Sequence, residues 1–448
     1  MSSAAISASS PALPSVSSRR FASGPDYSPR YIDIGINLAD PVFRGRYSGR
    51  DCHRDDLKDV VRRSHDVGCT KLIATGSSFR TARDALKLAE QFPGTVFATA
   101  GIHPCCSAIF ERAPRNDRET NDSSSGGEDS AEEHTPMCDP DLANPHAEGG
   151  FVNLARSDQI IADLRKLVQI APSNALVAFG EIGLDYARLH YCSASTQRHA
   201  FATQLKLAAS LADDGRPLPL FLHSRDCHED FLRLLRDQFG PQLESLPRGA
   251  VVHSFTGSIA EAEELMDLGL YLGVNGCSLR TKENCSVVKA IRLDRLMMES
   301  DGPWCEVRPS HESWSYLVQA AEAARAKAQE AEEAASKEAA EVVAEAGTLS
   351  EVVDPTNNSQ QPRPPQQSTQ KKNDKRSDNN KKKNSAVFER FKAVKKDKWE
   401  EGAMVKNRNE PCNIERIATI IAGIKGITIE EVCEAAWANT VKLFGPLD

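Results

Sequence analysis

The chain lacks any long apolar run. Nothing in its 448 residues approaches the ~20 consecutive apolar residues that a membrane-spanning helix needs. It also lacks a CxxC pair: 12 cysteines are scattered without regular spacing, which excludes a zinc ribbon and a disulfide framework and fits intracellular usage. No GxGxxG or GxxxxGK[ST] follows the first apolar run, so the commonest nucleotide-binding arrangements are absent. A net positive charge is missing too, with 55 Lys+Arg against 63 Asp+Glu. Residues 111–150 alone hold three basic and eleven acidic residues, so the rest of the chain balances at 52 against 52. A neutral body argues against holding nucleic acid by bulk charge, but leaves room for an enzyme that engages a few phosphates locally.

What is there is a real core interrupted by unpacked segments. The hydrophobic fraction is 40%, while 26% charge and 24 prolines point to stretches that bury little. Residues 1–30 are Ser/Ala/Pro-rich, carry Arg19, Arg20 and Arg30, and have no acid before Asp26. Such a stretch is a disordered tail or an organellar targeting segment on a protein otherwise expected in the nucleus or cytoplasm. Residues 111–150 form an acidic insertion around Ser123–Gly127. Residues 325–385 continue an Ala/Glu/Lys helix expected over Ala320–Ala346, then run through Pro/Gln-rich sequence into the basic stretch Lys371–Lys383. The apolar positions of that helix are nearly all alanine, so it is expected to be solvated.

With these segments removed, short apolar runs alternate with helical patterns. The runs are Tyr31–Ile36, Lys71–Thr75, Val96–Ala100, Ala175–Phe179, Leu218–Leu222, Ala250–Val252, Tyr271–Val274 and Leu296–Met298. Leu57, Val60, Val61 and Val67 mark one helix face between the first two, and Ile414, Ile417, Ile420, Ile421 and Ile424 mark another after the eighth. Eight such runs favour an α/β fold closed as a (β/α)₈ TIM barrel over residues 31–448, a single domain interrupted by the two insertions. Both insertions follow strands and are expected to leave from the C-terminal mouth.

The chemistry lies in the residues that close those strands. The third run leads into His103, the fourth into Glu181, the fifth into His223, the sixth into His253 and the eighth into Asp301. Barrel active sites form where C-terminal strand ends converge, whatever their separation in sequence. Each residue alone has an ordinary structural role: a strand-end histidine is usually a satisfied one, and a carboxylate can cap the next helix or pair with an arginine. Two histidines and two carboxylates converging there suit a divalent ion and its activated water. His103 is open to another role, contacting substrate phosphate. His53, His65, His134, His146, His190, His199 and His228 lie in helical, loop or insertion sequence and receive none.

These strand ends resemble the TatD-like deoxyribonuclease family. The carrying segments are Asp33–Leu38, Gly101–Pro104, Gly180–Asp185, Phe221–Arg225, Val252–Gly257, Gly273–Leu279, Glu299–Trp304 and Arg408–Cys412, in order along the chain. The resemblance implies a divalent-metal-dependent deoxyribonuclease acting on DNA, with exonucleolytic cutting the expected mode and no small organic cofactor. It puts Glu181, His223, His253 and Asp301 in the metal-ligand positions and Asp301, Glu181 and His103 in the catalysis. Arg225 and Arg280 are candidates for the substrate phosphate, with Arg408 a weaker one that could instead pair with Glu410 or a barrel carboxylate, and Trp304 is a candidate for stacking on a base or for packing at the mouth. Members with a full two-metal site carry Asp-x-His-x-His on strand one, where this chain has Gly35 and Asn37, as in the eukaryotic-type branch. Fewer nitrogen ligands suit Mg²⁺ or Mn²⁺ better than tightly bound Zn²⁺. Two other functions remain: a small-molecule amidohydrolase or deaminase on the same barrel, and a non-catalytic interaction scaffold.

Overall fold

The computed structural model describes residues 27–111, 152–347, 387 and 389–447. The expectations for residues 1–26, for nearly all of 111–150, and for the Pro/Gln- and Lys-rich part of 325–385 lie outside them.

Eight strands form one sheet in sequence order: β1 (Tyr31–Ile36), β2 (Cys69–Ala74), β3 (Val96–Ala100), β4 (Leu176–Asp185), β5 (Leu220–Arg225), β6 (Ala250–Val252), β7 (Tyr271–Val274) and β8 (Leu296–Met298). Every neighbouring pair is parallel. The ends of β8 and β1 meet through Asp301 N–H donating to Gly35 O (2.9 Å) and Asn37 N–H donating to Gly302 O (2.8 Å), which nearly closes the barrel. A parallel sheet needs cover on its outer face. It comes from α1 (Leu57–Asp66), α2 (Phe79–Gln91), α3 (Leu154–Ile170), α4 (Ala194–Asp213), α5 (His228–Phe239), α6 (Ile259–Asp267) and α7 (Lys282–Ala290).

Local chemistry fixes where the helices begin. Ser78 with Thr81, and Ser258 with Glu261, form capping boxes that satisfy the first amides of α2 and α6. The helices therefore start a few residues beyond the strands, which leaves short strand-end segments free to build a site. Leu57, Val60 and Val61 of α1 are buried, as their spacing predicts.

β4 is twice as long as the apolar run Ala175–Phe179 suggests, because the strand continues through Glu181 to Asp185. Two glycines permit this. A Cβ at Gly180 would lie 2.0 Å from the Phe221 carbonyl oxygen, and one at Gly183 would lie 1.9 Å from that of His223. β5 can press against β4 only because neither position carries a side chain.

The long helix α8 (Trp314–Gly347) belongs to a second compact unit. It begins six residues before the expected Ala320, and residues 324–338, whose apolar positions are all alanine, are all exposed. In the barrel unit, α9 (Ile414–Lys425) buries Ile414, Ile417, Ile420, Ile421 and Ile424, and α10 (Ile429–Phe444) follows. Leu443, Phe444 and Leu447 join Ile32, Ile34, Ile73, Phe97, Val177, Phe221, Val251 and Met297 in one apolar cluster. None of the described helices is long and apolar enough to cross a membrane.

Candidate metal centre and active site

The strand ends bring His103, Glu181, His223 and His253 together, although 150 positions separate the first from the last. All four are at most 8% exposed. Glu181 is the hub. Its Oε1 lies 2.5 Å from His253 Nε2, 3.1 Å from His223 Nδ1 and 3.3 Å from His103 Nε2, while Oε2 accepts from the Ser77 hydroxyl (3.2 Å). Burial alone would raise the Glu181 carboxyl. The charge of His253, then that of His103, and the histidine hydrogen bonds overcome it and hold the group well below the usual carboxylate range.

The far sides of the rings decide which nitrogens are available. His103 Nδ1 accepts from the Cys105 amide (3.0 Å), so a neutral His103 carries its proton on Nε2 and donates toward Glu181. His223 is oriented the other way: Nε2 faces Asp185 Oδ2 at 3.1 Å, which leaves Nδ1 toward Glu181. His253 places Nδ1 3.5 Å from Glu299 Oε2 and Nε2 against Glu181. His223 Nδ1 and His253 Nε2 are 3.5 Å apart. Position alone also admits the trio His103, Glu181 and His223, whose donor atoms all lie within 4.8 Å of one another. The Cys105 hydrogen bond leaves His103 Nε2 as a donor, whereas His223 Nδ1 and His253 Nε2 both face Glu181 Oε1.

This set suits a divalent cation. Glu181, Asp185 and Glu299 are buried together, Asp185 Oδ1 has no hydrogen-bond partner, and His253 Nδ1 and Glu299 Oε2 have only each other at 3.5 Å. Burial lowers the pKa of both His223 and His253, but carboxylate partners more than compensate. Asp185 and Glu181 raise His223, and Glu181 and Glu299 raise His253 further. The rings thus take up positive charge that a bound cation would otherwise supply.

Asp301 stands beside this group at the end of β8. Its Oδ1 accepts from Asn37 Nδ2 (3.0 Å) and its Oδ2 from the Cys305 thiol (3.1 Å). Burial pushes its carboxyl up to about 6, helped by the negative charge of Glu299 and Glu181 and opposed by His253. Behind it, Asp33 accepts from the Ser300 amide (2.9 Å) and hydroxyl (2.5 Å), tying β8 to β1.

The three phosphate candidates fall in different places. Arg225 is partly exposed, with Nη1 3.8 Å from Asp185 Oδ2. Arg280 is exposed on the segment after β7. Arg408 requires a correction: it is 3% exposed and turned inward, bonded to Asp56 (2.8 and 2.6 Å), Glu410 (2.8 Å) and the Val42 carbonyl (3.0 Å). Arg63, fully buried, completes that network through Glu410 at 2.8 Å. A guanidinium so enclosed is a packing element. Trp304 is 37% exposed at the β8 end.

Asp185 and Glu299 carry roles that the strand-end pattern does not announce. Each backs a histidine that faces Glu181, as carboxylates commonly do behind metal-ligating imidazoles. Both stood in the motif segments, Asp185 four residues after Glu181 and Glu299 two before Asp301, and that spacing was the available signal.

A family model described as TatD related DNase matches residues 32–353. The chain belongs to the TatD-related DNase family. A Schizosaccharomyces pombe protein named Deoxyribonuclease Tat-D is 33% identical over 414 residues, covering 92% of this chain and 95% of that protein. An Edwardsiella piscicida protein named 3'-5' ssDNA/RNA exonuclease TatD is 32% identical over 276 residues, covering 61% and 79% respectively. Among solved structures, one titled an uncharacterized amidohydrolase from Saccharomyces cerevisiae aligns with TM-score 0.64 and 29% identity, covering 93% of this chain and all of that one.

Proposed function

We propose that the chain is a divalent-metal-dependent deoxyribonuclease that removes nucleotides from DNA ends by phosphodiester hydrolysis. The observation that carries this reading is the convergence of Glu181 Oε1, His223 Nδ1 and His253 Nε2 at one buried point, with Asp301 beside it. In this reading Asp301 is the fourth residue of the ion site. The carboxylate-rich surroundings suit Mg²⁺ or Mn²⁺, with Zn²⁺ a weaker match. When bound, such an ion lowers the pKa of water toward neutrality and offsets phosphate charge.

The chain's own residues do the rest. Asp301 orients the attacking water and takes its proton on a carboxylate oxygen. His103 donates its Nε2 proton in a hydrogen bond to a phosphate oxygen, a role its Cys105 contact prepares. Arg225 and Arg280 bind the same phosphate, and Trp304 stacks on the adjacent base. The scattered free thiols suit a reducing intracellular compartment.

The test is cleavage of end-labelled single- and double-stranded oligonucleotides by the full chain with Mg²⁺, Mn²⁺ or Zn²⁺, beside a panel of cyclic amides and aminated bases. Stepwise shortening from one end, abolished by chelator, is expected. Turnover of a panel member without nucleic-acid cleavage would replace the nuclease with an amidohydrolase. Inactivity on every substrate, with no retained ion, would leave an interaction scaffold.

A further inference from the structure

The two thiols beside the Asp301 carboxylate take no proton and bind no phosphate in the hydrolysis just described. Cys277 follows β7 and Cys305 follows β8, and their Sγ atoms are 2.7 Å apart. Two unbonded sulfurs would ordinarily keep a wider separation, so the backbone holds this pair close to bonding range. Gly276 allows the approach, because a Cβ there would lie 1.8 Å from the Cys305 carbonyl oxygen. Of the other described cysteines, Cys52 is exposed and Cys69, Cys105, Cys106, Cys192, Cys227, Cys285, Cys412 and Cys433 are buried. Cys277 and Cys305 are intermediate, open enough for a small oxidant to reach.

We infer that Cys277 and Cys305 are a site of reversible oxidation, closing a disulfide across the catalytic mouth when a hydroperoxide is present. The Cys277 thiolate attacks one peroxide oxygen, forming a sulfenic acid and releasing hydroxide. The Cys305 sulfur then attacks the sulfenic sulfur, the S–S bond forms, and water leaves. Two thiols lose two electrons and two protons, and one hydrogen peroxide becomes two waters. The sulfur contact with Cys305, aided by the positive charge of Arg225 and Arg280, holds the Cys277 thiol below its ordinary value against burial and the Asp301 charge. Cys305 has its thiol proton committed to Asp301 Oδ2, which leaves Cys277 as the sulfur that meets the oxidant first.

The consequence falls on Asp301. Its Oδ2 accepts from the Cys305 thiol, and a disulfide has no proton to give. Asp301 would keep only the Asn37 amide on Oδ1, while the strand-end segments after β7 and β8 become covalently joined. Cys305 is thus a positioning residue in the reduced protein, and oxidation withdraws it. This consequence rests on the nuclease reading. The linkage itself does not.

The experiment treats the full-length chain with graded hydrogen peroxide, blocks remaining thiols, and maps tryptic peptides without reductant. Residues 249–280 and 296–325 each carry one cysteine, Cys277 and Cys305 respectively, so their linkage is unambiguous. A linked pair that dithiothreitol separates is expected. Metal-dependent cleavage should fall at least tenfold on oxidation and return on reduction, and Cys277→Ser should keep its cleavage through the same treatment. Absence of the linked peptides overturns the proposal whether or not the chain cuts DNA. Equal inactivation of Cys277→Ser overturns the regulatory half even where linkage occurs.

Discussion

Replacing Asp185 with asparagine isolates what lies behind the ion site. The side chain is fully buried and its Oδ2 is 3.1 Å from His223 Nε2. Asparagine keeps the size and a carbonyl acceptor but removes the charge that makes His223 Nδ1 a stronger donor of its lone pair. Loss of such an outer carboxylate costs about 10–100-fold in metal affinity or rate, or about 1.4–2.7 kcal/mol. A second effect follows from titration. Burial would raise the Asp185 carboxyl, but the His223 hydrogen bond and charge, with Arg225 behind them, hold it at about 2 against an ordinary 3.8. A depressed acid contributes stability that is present above its unfolded value and lost as pH falls through its folded value. That contribution is roughly 2 kcal/mol at neutral pH, and it disappears between about pH 4 and pH 2. Asp185→Asn should therefore melt several degrees below wild type at pH 7, and the gap should narrow in acid. Mn²⁺ affinity, read by competition with a fluorescent chelator, should fall in the stated range together with the cleavage rate. An unchanged affinity alongside the melting loss would refute the reasoning, leaving Asp185 a structural partner of His223 and nothing more.

Asp301→Asn should lower the cleavage rate by about 10²–10⁴, the reach of general acid–base catalysis. Because the Asp301 carboxyl is raised to about 6, its ionised form costs the ion-free protein stability, a cost that grows as pH rises from about 4 through 6. The variant freed of metal should accordingly melt no lower than wild type at pH 7.5, and a clear drop in calorimetry would contradict that. Cleavage by wild type should decline on the acid side with a midpoint at or below about 6, since a bound cation favours the carboxylate; a midpoint above 7 would point to another group. Arg408→Ala should leave Asp56 and Glu410 buried without their partner and cost about 3–5 kcal/mol. If denaturant unfolding shows no loss and only KM for DNA rises, the phosphate role returns. His103→Gln should reduce the rate while leaving Mn²⁺ affinity within about twofold, and a tenfold weaker affinity would make His103 a ligand.

The barrel was legible because its signals are local. Five of the eight strands begin and end where the apolar runs do, and the isoleucine stripe of α9 is buried as its spacing requires. β4 departs from its apolar run for a definite reason. Its second half is polar at Glu181 and Asp185 and glycine-rich at 180 and 183, which reads as a loop. Only the approach of β5 turns that stretch into a strand, and such pairing is not a property of one segment. The principal site residues were legible because they sit at equivalent places in a repeat. Asp185, Glu299 and Ser77 were not given roles because each acts through a partner far along the chain. Arg408 is the opposite case: an arginine inside a matching motif reads as a phosphate ligand or as the partner of Glu410, and only burial, with Asp56 on the other side, decides for the second.

The number of ions can be argued from strand one. Gly35 and Asn37 stand where the family resemblance implies histidines for a two-metal site, and the structure shows what uses that space. A Cβ at Gly35 would meet Glu299 Oε2 at 2.6 Å and Phe221 Cζ at 3.2 Å. Glu299 cannot move aside freely, because it accepts from the Ser254 amide (2.5 Å) and Asn275 Nδ2 (3.2 Å) and faces His253. Asn37 commits its amide nitrogen to Asp301. Strand one therefore offers no imidazole, and its glycine makes room for the carboxylate behind His253. One tightly held ion is the expectation, with any second having to share Glu181 and Asp301 with the first and rely on water for the rest. Elemental analysis of protein dialysed against metal-free buffer should return about one divalent ion per chain. Gly35→His should displace Glu299 and weaken Mn²⁺ binding about tenfold or more, the cost of losing an outer carboxylate. Two retained ions in the wild type, or tighter binding in Gly35→His, would show that the space beside Glu299 can hold a ligand after all.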